Sequence, residues 1–314
     1  MTVVLLCGIP SETPLAMVRA ELVGSGTPHV TFNQRSFAEA DMSYELSGGE
    51  LHGYLRVGQV EHRLQDLSAA FVRLMDDRFL PELSAEPPGS ALRNRCRQVH
   101  DALIRWLEIA PGRIVNRYGA MGSNGSKPYQ AQLITKYGFR TPPTLVTNDP
   151  AAVLAFRRTH GRVVYKSTSG VRSIVSELTD EELARLDRVT ACPTQFQAYV
   201  EGDNVRVHVV GQDVYATAVS CDALDYRYPR GSGAGPAALT AIDLPGDIAE
   251  RAIELTADLG LAFAGLDLMI EGDGSVYCFE VNPSPAFSYY QQHTGQPIAR
   301  SVAAYLTGVG RASA

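Results

Sequence analysis

The sequence predicts a mixed α/β and α+β chain that opens with a doubly wound α/β domain. Three observations carry that prediction. The chain begins with a strand–helix–strand pattern. Strand-like apolar runs and helical segments then alternate through the rest of the 314 residues. A late stretch, Leu261 to Pro285, reads as two strands in which acidic and amide residues sit between apolar ones. The composition, 45% hydrophobic and 20% charged, suits a globular chain long enough for two or three compact lobes.

Residues 1–40 read as a strand (TVVLLCG), a loop, a helix (PLAMVRAELVGSG) and a strand (HVTFNQ). Residues 43–63 read as antiparallel hairpin strands with Gly48-Gly49 at a turn. An apolar strand at 69–74, a Pro-rich loop at 81–90, an amphipathic helix at 91–108 and a short strand at 114–116 close a first domain, 1–115. A second region, 116–200, holds a helix at 127–138 and an extended connector at 141–146. Asp149-Pro150 then signals a helix start, with a helix over 150–159. A strand at 162–166, a small-residue loop, a strand at 171–177 and an acidic helix at 179–187 follow. The third region, 201–314, is entered through a strand at 194–200. It holds strands at 205–211 and 213–220, a loop-rich stretch at 225–241, a helix at 246–260, the late hairpin and a helix at 296–306.

Net charge is −6, so the basic surface that nucleic acid or anionic membrane would need is not expected. Cys7, Cys96, Cys192, Cys221 and Cys278 are odd in number and widely spread, without C-x-x-C spacing. A disulfide framework or zinc site is not expected, and a reducing, cytoplasmic location is. Val3–Leu6 has no basic flank and reads as a strand rather than a signal peptide. No apolar run approaches the roughly 18 residues of a membrane span.

The late hairpin carries the most chemistry. Burying carboxylates among apolar residues is costly, and a hard cation is the usual compensation. Glu280 and Asn282 are two apart on one strand and share a face. A four-residue turn, Gly272 to Ser275, would pair Glu271 with Val276 and set Asp267 opposite Glu280. Mg²⁺ would relieve the repulsion between two such carboxylates. A solvated hairpin with outward polar residues is the alternative. Lys127 starts a helix after Gly122-Ser123-Asn124-Gly125-Ser126, and Lys166 ends a strand before Ser167-Thr168-Ser169-Gly170. Loops of small residues let backbone N–H groups approach phosphate oxygens, although the Walker A spacing is absent. Taken singly, each lysine reads better as a solvent-exposed cation at a strand edge; the two together with the downstream acidic hairpin favour the phosphate reading.

Taken in order, these pieces resemble a known family. Lys127, Lys166 with its loop, Gln197-Ala198-Tyr199-Val200-Glu201-Gly202, Val205-Arg206-Val207-His208-Val209-Val210-Gly211, Asp267 and Glu280-Val281-Asn282 are similar to the ATP-grasp carboxylate–amine ligases. The resemblance is closest to the RimK-like branch, near the graspetide peptide ligases, and covers about residues 110–308. It implies an ATP-grasp fold in which two α+β lobes clasp ATP behind an N-terminal α/β domain. Lys127, Lys166, Ser169 and Gly170 would then meet the phosphates, the lysines reaching towards the adenine edge. Gln197, Tyr199 and Val200 would form the hinge that reads adenine, and Glu201 or Asp203 would accept from the ribose. Asp267, Glu280 and Asn282 would hold Mg²⁺, as two ions, with Mn²⁺ as a substitute. Arg206 would face the terminal phosphate.

The family usually reads Gly-x-Asp-x-Arg after the hinge; here Asn204 stands at that Asp position, between Asp203 and Arg206. Arg172 adds a candidate phosphate contact. Asp225-Tyr226-Arg227 resembles an Asp-Trp-Arg-like segment of the peptide ligases, and Arg227 could hold a substrate carboxylate or anchor its loop. Ser284 to Tyr290 either lines the acceptor pocket or packs in the core, with Phe287 on the packing side. Cys221 and Cys278 read as small buried hydrophobes. The activity implied is amide-bond formation through an acyl phosphate, with release of ADP and phosphate. Its substrates would be a small-molecule or peptide carboxylate and an amine, and a homodimer is compatible. A peptide macrocyclase acting on a ribosomal precursor, and a nucleotide-binding regulator without turnover, are the alternatives.

Overall fold

The computed structural model describes residues 3–167, 175–221 and 237–309. β1 (Val3–Gly8) is apolar without alternation because both of its faces are covered. Val4 and Leu6 share one core with Leu15, Val18 and Leu22 of α1 (Thr13–Gly24), whereas Leu5 and Cys7 belong to another. β2 (His29–Asn33) pairs parallel with β1. The expected meander follows as β3 (Ala40–Ser47), β4 (Glu50–Val57) and β5 (Val60–Arg63), turning at Gly48-Gly49. β6 (Leu67–Arg73), α2 (Ala91–Ile109) and β7 (Arg113–Val115) complete a parallel sheet of order β2-β1-β6-β7. Ser90 caps α2 by accepting from the Arg93 N–H at 3.2 Å. Cys96, Val99, Leu103, Trp106 and Leu107 form the buried stripe of that helix.

α3 (Tyr118–Met121) and α4 (Lys127–Lys136) lead into a second, antiparallel sheet. Its elements are β8 (Thr144–Thr147), α5 (Pro150–His160), β9 (Val163–Ser167), β10 (Ser176–Glu177), α6 (Asp180–Leu183) and β11 (Thr194–Ala198), in strand order β10-β9-β11-β8. The Asp149 carboxylate caps α5 by accepting from the Ala151 N–H at 2.9 Å, as the Asp-Pro signal predicts. The acidic helix expected over 179–187 is shorter. It stops at Leu183, and Arg185, at φ −114° and ψ 14°, leaves the helical region before a separate 3₁₀ turn, Leu186–Ala191.

The third sheet is also antiparallel. β12 (Asp203–Val210), β13 (Asp213–Ser220), β14 (Ala238–Ile242), α7 (Gly246–Asp258), β15 (Phe263–Ile270) and β16 (Val276–Asn282) give the order β14-β13-β12-β15-β16. β14 corrects the loop expected through residue 241. Its five residues, ALTAI, are too short a run after a Gly- and Pro-rich stretch to signal a strand, and pairing with β13 supplies the order. α8 (Ser288–Thr294), which the sequence reading did not anticipate, and α9 (Ile298–Thr307) end the described chain. Odd-numbered β12 residues Val205, Val207 and Val209 pack with Leu255 of α7. The opposite face carries Arg206 and His208. Cys278 is buried as expected, but Cys221 is half-exposed. No helix among the described residues is long and apolar enough to cross a membrane.

One buried side chain ties the first sheet to the third. Asn116 follows β7 and is 3% exposed. Its Nδ2 donates to the carbonyls of Phe263 and Pro283, each at 2.6 Å. Its Oδ1 accepts from the N–H groups of Ala262 at 2.8 Å and Phe263 at 3.1 Å. Four buried bonds thus join segments about 150 residues apart in sequence, at the end of the β15–β16 pair away from its turn. Replacing Asn116→Leu would strand those backbone groups. We expect a loss of about 3 kcal/mol in unfolding free energy; a urea midpoint equal to that of the native chain would contradict this role.

Candidate active site

The register of β15 against β16 changes partway along. Ile270, Met269 and Leu268 face Val276, Tyr277 and Cys278, after which Asp267, Leu266 and Gly265 face Glu280, Val281 and Asn282. Phe279 is the additional residue, a β-bulge. It reverses which side chains of β16 point into the core: Val276 and Cys278 before the bulge, Val281 after it. Without it Glu280 would follow Val276 and Cys278 inward, and Asp267 would face Phe279. The expected opposition of Asp267 and Glu280 is therefore present, but its cause differs from the one predicted. Glu271 does not pair with Val276; it closes a longer turn by donating its N–H to the Ser275 carbonyl at 2.9 Å.

Across the open face of this sheet, Thr217, Arg206, Asp267 and Glu280 stand in one cross-strand row. The next row is Tyr215, His208, Gly265 and Asn282. Arg206 Nη1 donates to Asp267 Oδ1 at 2.6 Å, and Lys127 Nζ, from the first turn of α4, donates to Glu280 Oε2 at 3.1 Å. With Lys127 counted, the row reads cation, anion, anion, cation, and the two flanking cations offset the repulsion between the adjacent carboxylates. Gly265 makes room for it: a Cβ there would overlap the Arg206 guanidinium and come within 2.9 Å of the Pro285 Cβ. The same guanidinium carbon lies 5.7 Å from the centre of the Tyr290 ring. Phe287, on the core side of this segment, is fully buried.

Lys166 belongs to the same electrostatic neighbourhood. Burial pushes the Glu280 carboxyl up. The Lys127 ammonium, by charge and hydrogen bond, outweighs this with help from Lys166 and Arg206, and holds the carboxyl below its usual value. Lys166 is buried on β9 opposite Gln195 of β11, also buried. His208, fully enclosed beside Arg206 and edge-on to Tyr290 at 4.9 Å, is kept neutral by burial and by the arginine's charge. Its two ring nitrogens have no hydrogen-bond partner among the described residues.

The remaining sequence-predicted residues are more dispersed. Gln197 is tied by its side chain to Thr144 Oγ1 at 3.0 Å. Of the hinge N–H groups, that of Ala198 goes to the Pro143 carbonyl and that of Tyr199 to the Arg162 carbonyl. Any base edge would have to be read by other backbone groups of this segment. Tyr199 also carries the Arg162 guanidinium 3.8 Å above its ring. Val200 is buried, whereas Glu201 and Asp203 are exposed at the entry to β12. Ser169, Gly170, Arg172 and Asp225-Tyr226-Arg227 lie outside the described residues.

Several site residues escaped the sequence reading. Gln130, one helical turn after Lys127, is 2% exposed. It donates to the Val281 carbonyl at 2.7 Å and accepts from the Val281 N–H at 2.9 Å. Arg73, at the end of β6, is paired bidentately with Glu12 and donates to Ser284 Oγ and the Pro285 carbonyl, each at 3.2 Å. Asn282 Oδ1 accepts from the Ser284 N–H at 2.9 Å, so its amide orientation is set by the same loop. The helical spacing from Lys127 was a signal for Gln130; nothing in the sequence pointed to Arg73.

Two carboxylates and an amide oxygen on one open face fit Mg²⁺, which takes one or two protein carboxylates and completes its shell with phosphate and water. Among the described residues no group of three His, Cys, Asp or Glu side chains could hold a metal ion, so an all-protein cage is not what this face provides.

Known proteins resemble this chain in sequence and in fold. The family model for the RimK-like ATP-grasp domain matches residues 127–306. Human beta-citrylglutamate synthase B is 28% identical over 224 residues, which span 66% of this chain and 56% of that protein. The chain therefore covers a little over half the length of this curated relative. A Chryseobacterium gregarium RiPP-associated ATP-grasp ligase, solved with ADP and a leader and core peptide, superposes with a TM-score of 0.81. It is 22% identical, with 99% of this chain and 98% of that one covered. The ATP-grasp ligase PsnB, complexed with a phosphomimetic variant of its minimal precursor, Mg and ADP, gives a TM-score of 0.78 at 24% identity over 98% of each chain. These likenesses establish the ATP-grasp fold.

The Lys127–Glu280 pair makes a pH-dependent prediction. A depressed Glu280 contributes stability that is fully present above its ordinary value of 4.5 and lost as pH falls through the depressed one. Lys127→Met raises that carboxyl. Its stability deficit against the native chain should be about 1 kcal/mol at pH 7 and shrink as pH falls below 4.5. Urea unfolding at several pH values measures this, and a deficit independent of pH would rule out the pairing.

Proposed function

The chain belongs to the RimK-like ATP-grasp family, and from that premise we propose that it is an ATP-dependent carboxylate–amine ligase. The observation that carries this is the row Arg206, Asp267, Glu280 with Lys127 closing on its end. It supplies fixed cations and hard oxygen donors on one face, which is what a transferring phosphoryl group needs. In the reaction, a substrate carboxylate oxygen attacks the terminal phosphorus of ATP, the bridging P–O bond breaks and ADP leaves. An amine then attacks the acyl carbon of the resulting acyl phosphate, the C–O bond to phosphate breaks, and the amine proton passes to solvent.

The protein's part is positioning and charge. Lys127 and Lys166 balance the phosphates from two sides. Arg206, held against Asp267 and unable to lose its proton, faces the charge that develops on the transferring group. Asp267, Glu280 and Asn282 would hold Mg²⁺, which when bound neutralises phosphate oxygens. We extend this to two ions, with Mn²⁺ as a substitute of the same oxygen preference. Tyr199 and Val200 would read the base, and Glu201 or Asp203 the ribose. Cytoplasmic supply of nucleotide suits a chain whose five cysteines are all free.

A finer reading concerns the substrate. The peptide-bound ligases superpose with TM-scores of 0.81 and 0.78, whereas D-alanyl-alanine synthetase A, also covered over 98% of each chain, superposes with 0.60. That asymmetry favours a carboxylate borne on a peptide, with macrocyclisation as one outcome.

Release of ADP and phosphate in the presence of Mg²⁺ and candidate carboxylate–amine pairs, Asp- or Glu-containing peptides among them, tests the activity. Turnover should disappear in Glu280→Ala and Asp267→Asn while the thermal unfolding profile stays cooperative. Tight nucleotide binding with no ADP from any pair would leave a regulator without turnover as the answer. Arg206→Ala should lower turnover by at least about a hundredfold, the usual scale for removing one transition-state donor, while changing nucleotide affinity much less. Equal losses in the two would restrict Arg206 to nucleotide binding.

A further inference from the structure

β16 is the edge strand of its sheet, and its outer backbone groups need partners from elsewhere. Before the bulge they find one in Arg140: its N–H donates to the Val276 carbonyl at 2.9 Å, and its carbonyl accepts from the Cys278 N–H at 2.9 Å. With a period of two, the next residue to point its backbone outward would be Glu280. The extra Phe279 moves that role to Val281, and there the partner is the Gln130 side-chain amide rather than another backbone. Along one edge a primary amide presents an N–H donor beside its carbonyl acceptor, the same pair a strand neighbour would present. Gln130 therefore matches Val281 only in the shifted register; in the unshifted one Val281 would turn its N–H and carbonyl towards β15.

We propose that Gln130 is a positioning residue that selects the bulged register of β16, and so holds Glu280 on the open face within reach of Lys127. Gln130 and Lys127 lie three apart on α4, on neighbouring positions of one helical face. The bond to Val281 thus docks the helix that carries the ammonium onto the residue next to the carboxylate it meets. Both functions come from one buried side chain, and neither requires it to touch a nucleotide. The inference rests on the ligase reading only in taking Lys127 and Glu280 as the nucleotide-binding pair.

Mg-ADP binding to the full chain, measured by calorimetry, is the test. Gln130→Met removes both bonds at similar volume, and Lys127→Met removes the ammonium. If Gln130 acts through that pair, each variant weakens Mg-ADP about tenfold, and the double variant falls well short of the roughly hundredfold product that independent sites would give. A full hundredfold product, or an unaltered Gln130→Met, overturns the proposal. Gln130→Glu provides a second reading that a merely space-filling role would not move. Its carboxylate can accept from the Val281 N–H but repels the Val281 carbonyl until protonated. Its affinity relative to the native chain should therefore improve as pH is lowered from 8 to 5, and a constant ratio overturns the proposal even if Gln130→Met does not fold. A native chain that binds no Mg-ADP would instead refute the ligase reading.

Discussion

A single extra residue in an edge strand governs the rest of this site. Phe279 shifts β16 by one position, and the shift turns Glu280 from the core to the open face opposite Asp267. Everything charged in the site is arranged against that pair. Arg206 answers Asp267, Lys127 answers Glu280, and Gly265 leaves the space in which the arginine lies. Moving strand residues by one inverts inside and outside, so no gradual adjustment could achieve the same placement.

The end of the β15–β16 pair away from its turn is held from outside the third sheet. Asn116 grips the start of β15 and the segment just after β16, Arg73 holds Ser284 and Pro285, and Gln130 holds Val281. These three residues come from the first sheet's strand ends and from α4. The acidic row is thus the meeting point of segments that are distant in sequence. Apolar packing crosses the same junctions, Val115 with Phe263 and Phe287 and Ile134 with Val281, but hydrogen bonds to specific backbone atoms define a position along a strand, which contact area alone does not.

Much of this was legible beforehand because it rests on local periodicity. The β-α-β opening, the meander at Gly48-Gly49, the cap at Asp149 and the strand runs around Arg206 are all short-range patterns. Two of the chain's three lysines, Lys127 and Lys166, stood out as candidate site residues through their places at a helix start and a strand end. What was not legible depends on tertiary pairing. β14 is ordered by its neighbour rather than by its own residues, and the acidic helix after Thr179 ends where one backbone leaves helical geometry. The bulge is the instructive case. The sequence reading reached the right facing pair through a turn that does not exist, because a bulge and a longer turn shift the register by compensating amounts.

The central claim is that the bulged register brings Asp267, Glu280 and Asn282 to one metal-bound polyphosphate. A crystal structure of the chain with Mg²⁺ and a non-hydrolysable ATP analogue tests it most directly. The account predicts Mg²⁺ at about 2.1 Å from side-chain oxygens of these residues, with Lys127, Lys166 and Arg206 on the phosphates. A nucleotide bound elsewhere, or a metal shell that omits Glu280 with β16 in the unshifted register, would contradict it.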